Sequence, residues 1–193
     1  PTIECENKDD KKIKVFGTYT VSPTGREILT CENKYWEKDA QDPMWKLMPL
    51  TDYFAGSTIT KKETDINKTA EDKVEFPIEA FDTHLIAPDG SEYITYTDKI
   101  WFRTSTTVKE WTVQSLLERV KDNVVINALP DKPEEQLATA EFDTHVITST
   151  NAEIISYEGR YWKRENLQIK DWTTGTLEEY FANCTIRANT ITD

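Results

Sequence analysis

The segment EYITYTDKIWFR (Glu92–Arg103) decides the fold, because two close variants of it occur elsewhere in the chain. These variants are EILTCENKYWEK (Glu27–Lys38) and EIISYEGRYWKR (Glu153–Arg164). Each segment begins with Glu, carries Trp near its end and finishes with a cation. Asn, Asp or Gly stands in the middle of each, where a two-residue hairpin loop needs a residue that tolerates positive φ. The pattern therefore predicts three hairpins with the same turn.

The expected register of each hairpin follows from the position of its loop. A loop at Thr97-Asp98 pairs Ile94 with Trp101 and Glu92 with Arg103. Loops at the equivalent dipeptides produce the same two kinds of pair in the other copies: Leu29 with Trp36, Glu27 with Lys38, Ile155 with Trp162, and Glu153 with Arg164. Cross-strand pairs of these kinds contribute about 0.2–1 kcal/mol each. We expect every hairpin to hold an indole against an aliphatic side chain.

The similarity extends beyond the hairpins to blocks of about 45 residues, as is typical of a stacked supersecondary unit. FDTHLI (Phe81–Ile86) precedes the second hairpin and FDTHVI (Phe142–Ile147) precedes the third. Turn-forming residues follow each of these strands. A second Trp, then a capping box and a short helix, follow the hairpin. The predicted fold class is α+β, with three tandem repeats. Each repeat is a three-stranded antiparallel meander followed by a short helix and a further strand (β-β-β-α-β).

This interpretation divides the chain into repeats, linkers and terminal segments. The predicted boundaries are an N-terminal extension 1–15, repeat 1 at 16–61, a linker 62–80, repeat 2 at 81–127, an acidic linker 128–141, and repeat 3 with the C-terminal tail at 142–193. The predicted helices are Leu116–Asp122 and Leu177–Asn183, after caps at Ser115 and Thr176. The predicted closing strands are Thr58–Lys61, Val124–Asn127 and Thr185–Asn189. We expect each helix to cover the Trp side of its own repeat.

Composition and charge limit the classes of function. The 193 residues include six Trp and carry a net charge of −12, spread thinly along the chain. This charge disfavours direct binding to nucleic acid or to an anionic membrane. Three unpatterned cysteines and the absence of a signal-peptide pattern favour a reducing, cytoplasmic location, or the host cytoplasm if the protein is viral.

The repeated Trp between two cations is one candidate site. The residues are Lys34, Trp36, Lys38, Lys99, Trp101, Arg103, Arg160, Trp162 and Arg164. Cations beside an aromatic ring can bind single-stranded nucleic acid, sugars or peptides. The alternative is structural: each Trp packs on its cross-strand partner, and the outer cation pairs with the opposing Glu. This alternative explains more residues, because a phosphate site would not place a carboxylate beside its cations.

The opposite side of each predicted sheet carries a mixture of aromatic, aliphatic and histidine residues. The candidate partner-binding residues are Tyr19, Ile28, Tyr35, His84, Tyr93, Phe102, His145, Ile154 and Tyr161. If the helix covers the Trp side, this mixed side must meet either a neighbouring repeat or a partner. Exposed apolar area of this kind marks interaction sites.

Catalytic and metal-binding patterns are scarce. The two histidines occur in equivalent Asp-x-His pairs, Asp82-x-His84 and Asp143-x-His145, which could ligate a metal across a repeat interface. The first copy has Gly17 and Tyr19 instead, so we expect no metal site and no cofactor. The sequence has no nucleophile elbow, phosphate-binding loop or CxxC motif, and we expect no enzymatic activity.

The predicted function is a non-catalytic scaffold that binds a protein partner through its repeats. Triplication and small size suggest a phage or mobile-element accessory, an inhibitor or a virion component. Two alternatives remain open. One is an acidic mimic of nucleic acid that inhibits a basic protein. The other is a small-ligand or carbohydrate-binding module that uses the repeated Trp residues.

Overall fold

The chain is mostly β-sheet, with three short helices among the residues that the structure describes. The structure is a computed structural model and describes residues 5–6, 12–13, 16–61, 74–127 and 136–184. An antiparallel pair comes first, formed by β1 (Cys5–Glu6) and β2 (Lys12–Ile13). The next elements are β3 (Thr18–Val21), β4 (Glu27–Cys31), β5 (Lys34–Lys38), β6 (Lys46–Pro49), α1 (Leu50–Tyr53) and β7 (Thr58–Lys61).

The same order of elements follows twice more. The second group is β8 (Thr83–Ile86), β9 (Glu92–Tyr96), β10 (Lys99–Arg103), β11 (Glu110–Ser115), α2 (Leu116–Val120) and β12 (Val124–Asn127). The third group is β13 (Thr144–Ile147), β14 (Glu153–Tyr157), β15 (Arg160–Arg164), β16 (Asp171–Thr176) and α3 (Leu177–Tyr180). The predicted final strand Thr185–Asn189 lies outside the described residues.

Each group forms one antiparallel sheet of four strands, in the order in which they occur along the chain. We call these sheets 1, 2 and 3. The closing strand of one group joins the next sheet: β7 pairs in parallel with β11 of sheet 2, and β12 pairs in parallel with β16 of sheet 3. Each antiparallel sheet thus has four strands, whereas the sequence predicted a meander of only three. The fourth strand of sheet 2 contains the second Trp of its repeat, Trp111, and its Trp111 and Val113 alternate with more exposed residues.

The predicted hairpin register is confirmed in all three sheets. Ile94 pairs with Trp101 and Glu92 with Arg103. The equivalent rungs of the first and third hairpins are also as predicted. The first residue of each loop dipeptide is left-handed, with φ of 50° at Glu32, 53° at Thr97 and 47° at Glu158, and in the third loop Gly159 is left-handed as well, with φ of 78°.

The FDTH motif stabilises the hairpin that follows it. A carboxylate oxygen of Asp82 accepts a hydrogen bond from the Thr97 amide, and Asp143 accepts one from the Glu158 amide. The Thr83 hydroxyl lies 2.6 Å from the Thr95 hydroxyl on the neighbouring strand. The motif therefore has a structural role in sheets 2 and 3, and its Asp is used at the turn.

Each sheet has two different faces, which we name the Trp face and the helix face. The Trp face of sheet 2 carries Ile94, Trp101, Trp111 and Val113, and its helix face carries Tyr93 and Ile100. The helix face of sheet 1, with α1, packs on the Trp face of sheet 2. The helix face of sheet 2, with α2, packs on the Trp face of sheet 3. The first strands are also neighbours: β3 contacts β8, and β8 contacts β13.

The helices lie on the side opposite to the one expected. Leu50 of α1 packs with Ile28 and Tyr35 on the helix face of its own sheet, and contacts the Trp face only of the next sheet. The reason is that each helix starts directly after the fourth strand. The Leu116 amide donates to the carbonyl of Asp98 in the hairpin loop, which holds α2 against its own sheet.

The second Trp of each repeat provides a matched test of this packing. Trp111 is 0% exposed between sheets 1 and 2, whereas the equivalent Trp45 is half-buried on sheet 1. We expect Trp111→Ala to lower the free energy of unfolding by about 3–5 kcal/mol because it empties a filled core position. Trp45→Ala should cost clearly less. Denaturant titration followed by circular dichroism measures both, and equal losses would contradict the described stacking.

Candidate interaction surface

A buried carboxylate lies between sheets 1 and 2. Glu92 begins β9 on the Trp face, and its side chain is fully buried. It is bound by Arg103 of the neighbouring strand at 2.6 Å and by His84 Nε2 of β8 at 2.8 Å. The Tyr53 hydroxyl of α1 in the preceding group also donates to it. Burial alone would raise the pKa of Glu92, but His84, Arg103 and Tyr53 hold it below its ordinary value. Glu92 thus ties two strands of its own sheet to the preceding helix.

An equivalent carboxylate lies between sheets 2 and 3. Glu153 is also fully buried, 2.9 Å from Arg119 of α2 and 3.4 Å from Arg164 of β15. His145 Nε2 lies 3.8 Å away, too far for a hydrogen bond. Burial disfavours the charged form, yet the pKa of Glu153 is lowered, chiefly by Arg119 and also by its neighbours His145 and Arg164. Tyr53 and Arg119 are the fourth residues of their helices, so in both sites the carboxylate is bound by the same helix position of the preceding group.

Sheet 1 has the same carboxylate, and no four-stranded sheet among the described residues covers it. Glu27 binds Lys38 at 2.9 Å, and the Tyr19 hydroxyl donates to it at 2.6 Å. The hydrogen bond to Glu27 raises the pKa of Tyr19 to about 12. The Glu27 side chain is 24% exposed, whereas Glu92 and Glu153 are completely enclosed. Among the described residues, no helix residue completes this third site.

The Trp face of sheet 1 presents apolar side chains to solvent at its outer strands β3 and β6, whereas Leu29 and Trp36 on its two inner strands are buried. Tyr19 is 55% exposed, Val21 47% and Leu47 49%. The equivalent residues of sheet 2, which are His84, Ile86 and Val113, are all buried. Trp45 is half-buried beneath the ammonium group of Lys38, which lies 5.4 Å from its ring centroid. This surface is the one face of its kind that the described residues leave open.

The structure divides the predicted partner-binding residues into three groups. Five of them are core residues between sheets: Ile28, Tyr35, His84, Tyr93 and His145. Three are partly buried on helix faces: Phe102, Ile154 and Tyr161. Tyr19 alone of the nine is strongly exposed. The prediction placed all nine on one side of the repeat, which is wrong for three of them. Tyr19, His84 and His145 pair with Leu29, Ile94 and Ile155, and so lie on the Trp face.

The repeated cation–Trp–cation pattern is part of the packing between sheets at Trp101 and Trp162, whereas Trp36 packs with residues of its own group on sheet 1. The first Trp of each repeat is buried, at 7% exposure for Trp36, 2% for Trp101 and 4% for Trp162. The outer cations Lys38, Arg103 and Arg164 bind the opposing Glu, as the structural interpretation predicts. The inner cations Lys34, Lys99 and Arg160 are half-buried. These indoles are therefore enclosed and have no free face for a base or a sugar. The sequence analysis did not assign the second Trp of each repeat to this cluster. Arg103 lies 4.2 Å from the Trp111 ring centroid, and Arg164 lies 4.5 Å from that of Trp172.

Two further features concern metals and membranes. Within the described ranges, no group of three or more His, Cys, Asp and Glu side chains is placed to hold a metal ion. No helix in the same part of the chain is long and apolar enough to cross a bilayer. A cytoplasmic location stays a prediction.

Comparison with known proteins shows a fold similarity to plant seed proteins. No family model matches the sequence, and no curated protein matches it. The structure is similar to a hemopexin fold protein, CP4 from cow pea, with 8% identity and a TM-score of 0.56, over 88% of this chain and 72% of that one. It is also similar to a Cicer arietinum albumin showing hemagglutination, with 12% identity and a TM-score of 0.56, over 86% and 68%.

A third similar structure is a Cicer arietinum lectin with two metal-binding sites, at 12% identity and a TM-score of 0.51. The match covers 78% of this chain and 60% of the lectin, so the chain spans less than two thirds of that protein. At these identities the likeness shows the fold alone. Radial stacking of four-stranded sheets, first strand beside first strand, is the principle of β-propellers.

The buried carboxylates generate a prediction on stability. Glu92→Gln leaves Arg103 buried without its counter-charge, and we expect it to cost about 3–5 kcal/mol of unfolding free energy. Glu27→Gln is the matched control on sheet 1, where partial exposure screens the pair, and should cost under about 1 kcal/mol. Chemical denaturation of both variants provides the measurement. Similar losses would show that the enclosed carboxylates do not hold the sheets together.

The lowered pKa of Glu153 generates a prediction on pH. A carboxyl with a folded-state pKa below its ordinary value of 4.5 stabilises the fold fully above that value. This contribution is lost as the pH falls below 4.5 towards the folded-state pKa. We expect the melting temperature of the parent chain to fall in this acidic range, and that of Glu153→Gln to fall less. Parallel pH profiles for the two proteins would contradict the assignment.

Proposed function

We propose that this chain is a non-catalytic protein-binding scaffold. In this proposal the scaffold is built from three homologous copies of one β-sheet unit, and it binds its partner through the Trp face of sheet 1. The triplicated sequence block supports homology of the units. Recurrence of the carboxylate site at each sheet supports it further, with Glu27, Glu92 and Glu153 at one position.

The single observation that carries the proposal is the exposure of Tyr19, Val21 and Leu47. Their equivalents in sheet 2 are buried against another sheet. A surface of this composition therefore already packs against protein once within the chain. A contiguous apolar area beside polar groups marks an interaction site. Glu27 and Lys38 provide such polar groups next to Tyr19.

The charge of the chain favours a protein over nucleic acid as the partner. A net charge of −12 opposes association with a polyanion. The enclosed indoles of Trp101 and Trp162 weigh against a stacking site for bases or sugars. The surface on sheet 1 combines aromatic and aliphatic side chains with one ion pair, which resembles the composition of protein interfaces.

Capture from the native source, with the intact chain immobilised, tests this function. Leu47→Asp places a charge on β6, at the edge of the open face, and we expect it to reduce the amount of the specifically captured protein by about tenfold or more. Leu117→Asp is the control, because Leu117 is an exposed apolar residue of α2, at 65% exposure, away from sheet 1. If the captured protein is an untagged copy of this chain from the native source, that result also counts as capture of a protein partner. Equal capture by both variants would overturn the assignment of the surface.

A further inference from the structure

The helix α3 is held on sheet 3 in the way that α1 is held on sheet 1. The Leu177 amide donates to the carbonyl of Gly159 at 2.8 Å, and the Leu50 amide donates to that of Asn33 at 2.9 Å. Tyr180 packs edge-on against Tyr161 with ring centroids 4.9 Å apart. Tyr53 and Tyr35 make the same contact at 5.0 Å. The side chains of α3 therefore start from the same positions as those of α1.

No sheet within the described ranges covers the outer side of α3. Phe54, which follows α1, is 5% exposed, and Val120 at the same position of α2 is 7% exposed. Their equivalent after α3, Phe181, is 53% exposed, and Tyr180 is 43% exposed. In the first two groups this position fills the core of the next sheet. Phe54, for example, contacts the rings of Phe81 and Trp111 at 5.9 and 5.7 Å between centroids.

Sheet 1 carries the complementary surface. Phe16 and Trp45 are the equivalents of Phe81 and Trp111, and both are half-buried instead of enclosed. Glu27 is the equivalent of Glu92, which accepts a hydrogen bond from Tyr53. The outer strand β6 is an edge strand among the described residues, whereas β11 and β16 each pair with a strand from the preceding group. Sheet 1 thus presents the site that receives a helix in sheets 2 and 3.

We propose that the partner of sheet 1 is a second copy of this chain, whose α3 docks on the Trp face of sheet 1. This inference rests on the proposed function and names its partner. Phe181 of one copy takes the place of Phe54 and packs on Phe16 and Trp45 of the next copy. The Tyr180 hydroxyl then donates to Glu27, as that of Tyr53 does to Glu92. The same kind of contact occurs twice within the chain, between sheets 1 and 2 and between sheets 2 and 3. The two open surfaces are equivalent to the two sides of that contact and are therefore expected to fit each other.

The contact is heterologous, because it joins two different surfaces. Such contacts extend head to tail and produce a ring where the rotation closes, or an open filament where it does not. A symmetric dimer would instead use the same patch on both copies. This difference makes the arrangement testable with complementary variants.

The test is sedimentation velocity of the intact chain over a range of concentrations. The mass of one chain is 22.4 kDa, and we expect the parent protein to show concentration-dependent species of at least twice that mass. Phe181→Asp removes the donor surface and Leu47→Asp removes the acceptor surface. Each variant alone should remain at the mass of one chain, and Leu117→Asp should associate like the parent. Circular dichroism confirms that the exposed substitutions leave the fold intact.

Mixing the two variants decides the geometry. Phe181→Asp keeps an intact sheet 1 and Leu47→Asp keeps an intact α3, so an equimolar mixture should form a heterodimer that cannot extend. A mixture that stays at the mass of one chain, although the parent associates, would overturn the head-to-tail contact. A parent that stays at that mass at every concentration would overturn the inference as well. In either case the proposed function still stands if Leu47→Asp abolishes capture of a different protein in the capture experiment. If Leu47→Asp leaves that capture unchanged, the proposed function is wrong, whatever the sedimentation result.

Discussion

The whole arrangement depends on a carboxylate buried where one sheet packs on the next. A buried charge is costly unless it is paired and hydrogen-bonded from several sides. Glu92 meets this requirement with donors from its own first strand, its own third strand and the preceding helix. Glu153 does so with Arg164 and with Arg119 of α2. Because one donor comes from another unit, the carboxylate fixes how neighbouring sheets are placed.

This requirement also explains why the helices are short. A helix of four or five residues is too short to be stable alone in water. The three helices are held by the hairpin loop beneath them, and α1 and α2 also by the sheet above. In α1 and α2, apolar residues fill the space between two sheets, and the fourth residue of the helix reaches the carboxylate. The helix is therefore better described as part of the interface than as an independent layer.

Stacking of this kind leaves different surfaces at its two ends. Among the residues that the structure describes, no helix covers the Trp face of sheet 1 and no sheet covers α3. Tyr19 binds Glu27 from the first strand, as His84 binds Glu92, and no described helix residue takes the position that Tyr53 has at Glu92. The fold similarity to a plant albumin and a plant lectin concerns the architecture alone.

Local pattern accounts for the parts of the structure that could be predicted. The hairpin register followed from alternation and turn residues, since both act within a dozen residues. The caps at Ser115 and Thr176 were also predictable, and each accepts a hydrogen bond from the Glu three residues on. The strand that contains Trp111 was missed, because its only antiparallel neighbour is β10 and its parallel neighbour β7 comes from another repeat.

By itself, the sequence determined three equivalent hairpins, their cross-strand pairs and the two short helices capped by Ser115 and Thr176, because these features depend on neighbouring residues. Only the tertiary structure decided which sheet each helix contacts and whether an equivalent residue is core or surface. Phe54 and Phe181 occupy the same position in their repeats, yet one is enclosed and the other is half exposed. The physical reason is that burial depends on the adjacent unit, and a repeat does not encode whether that unit is present.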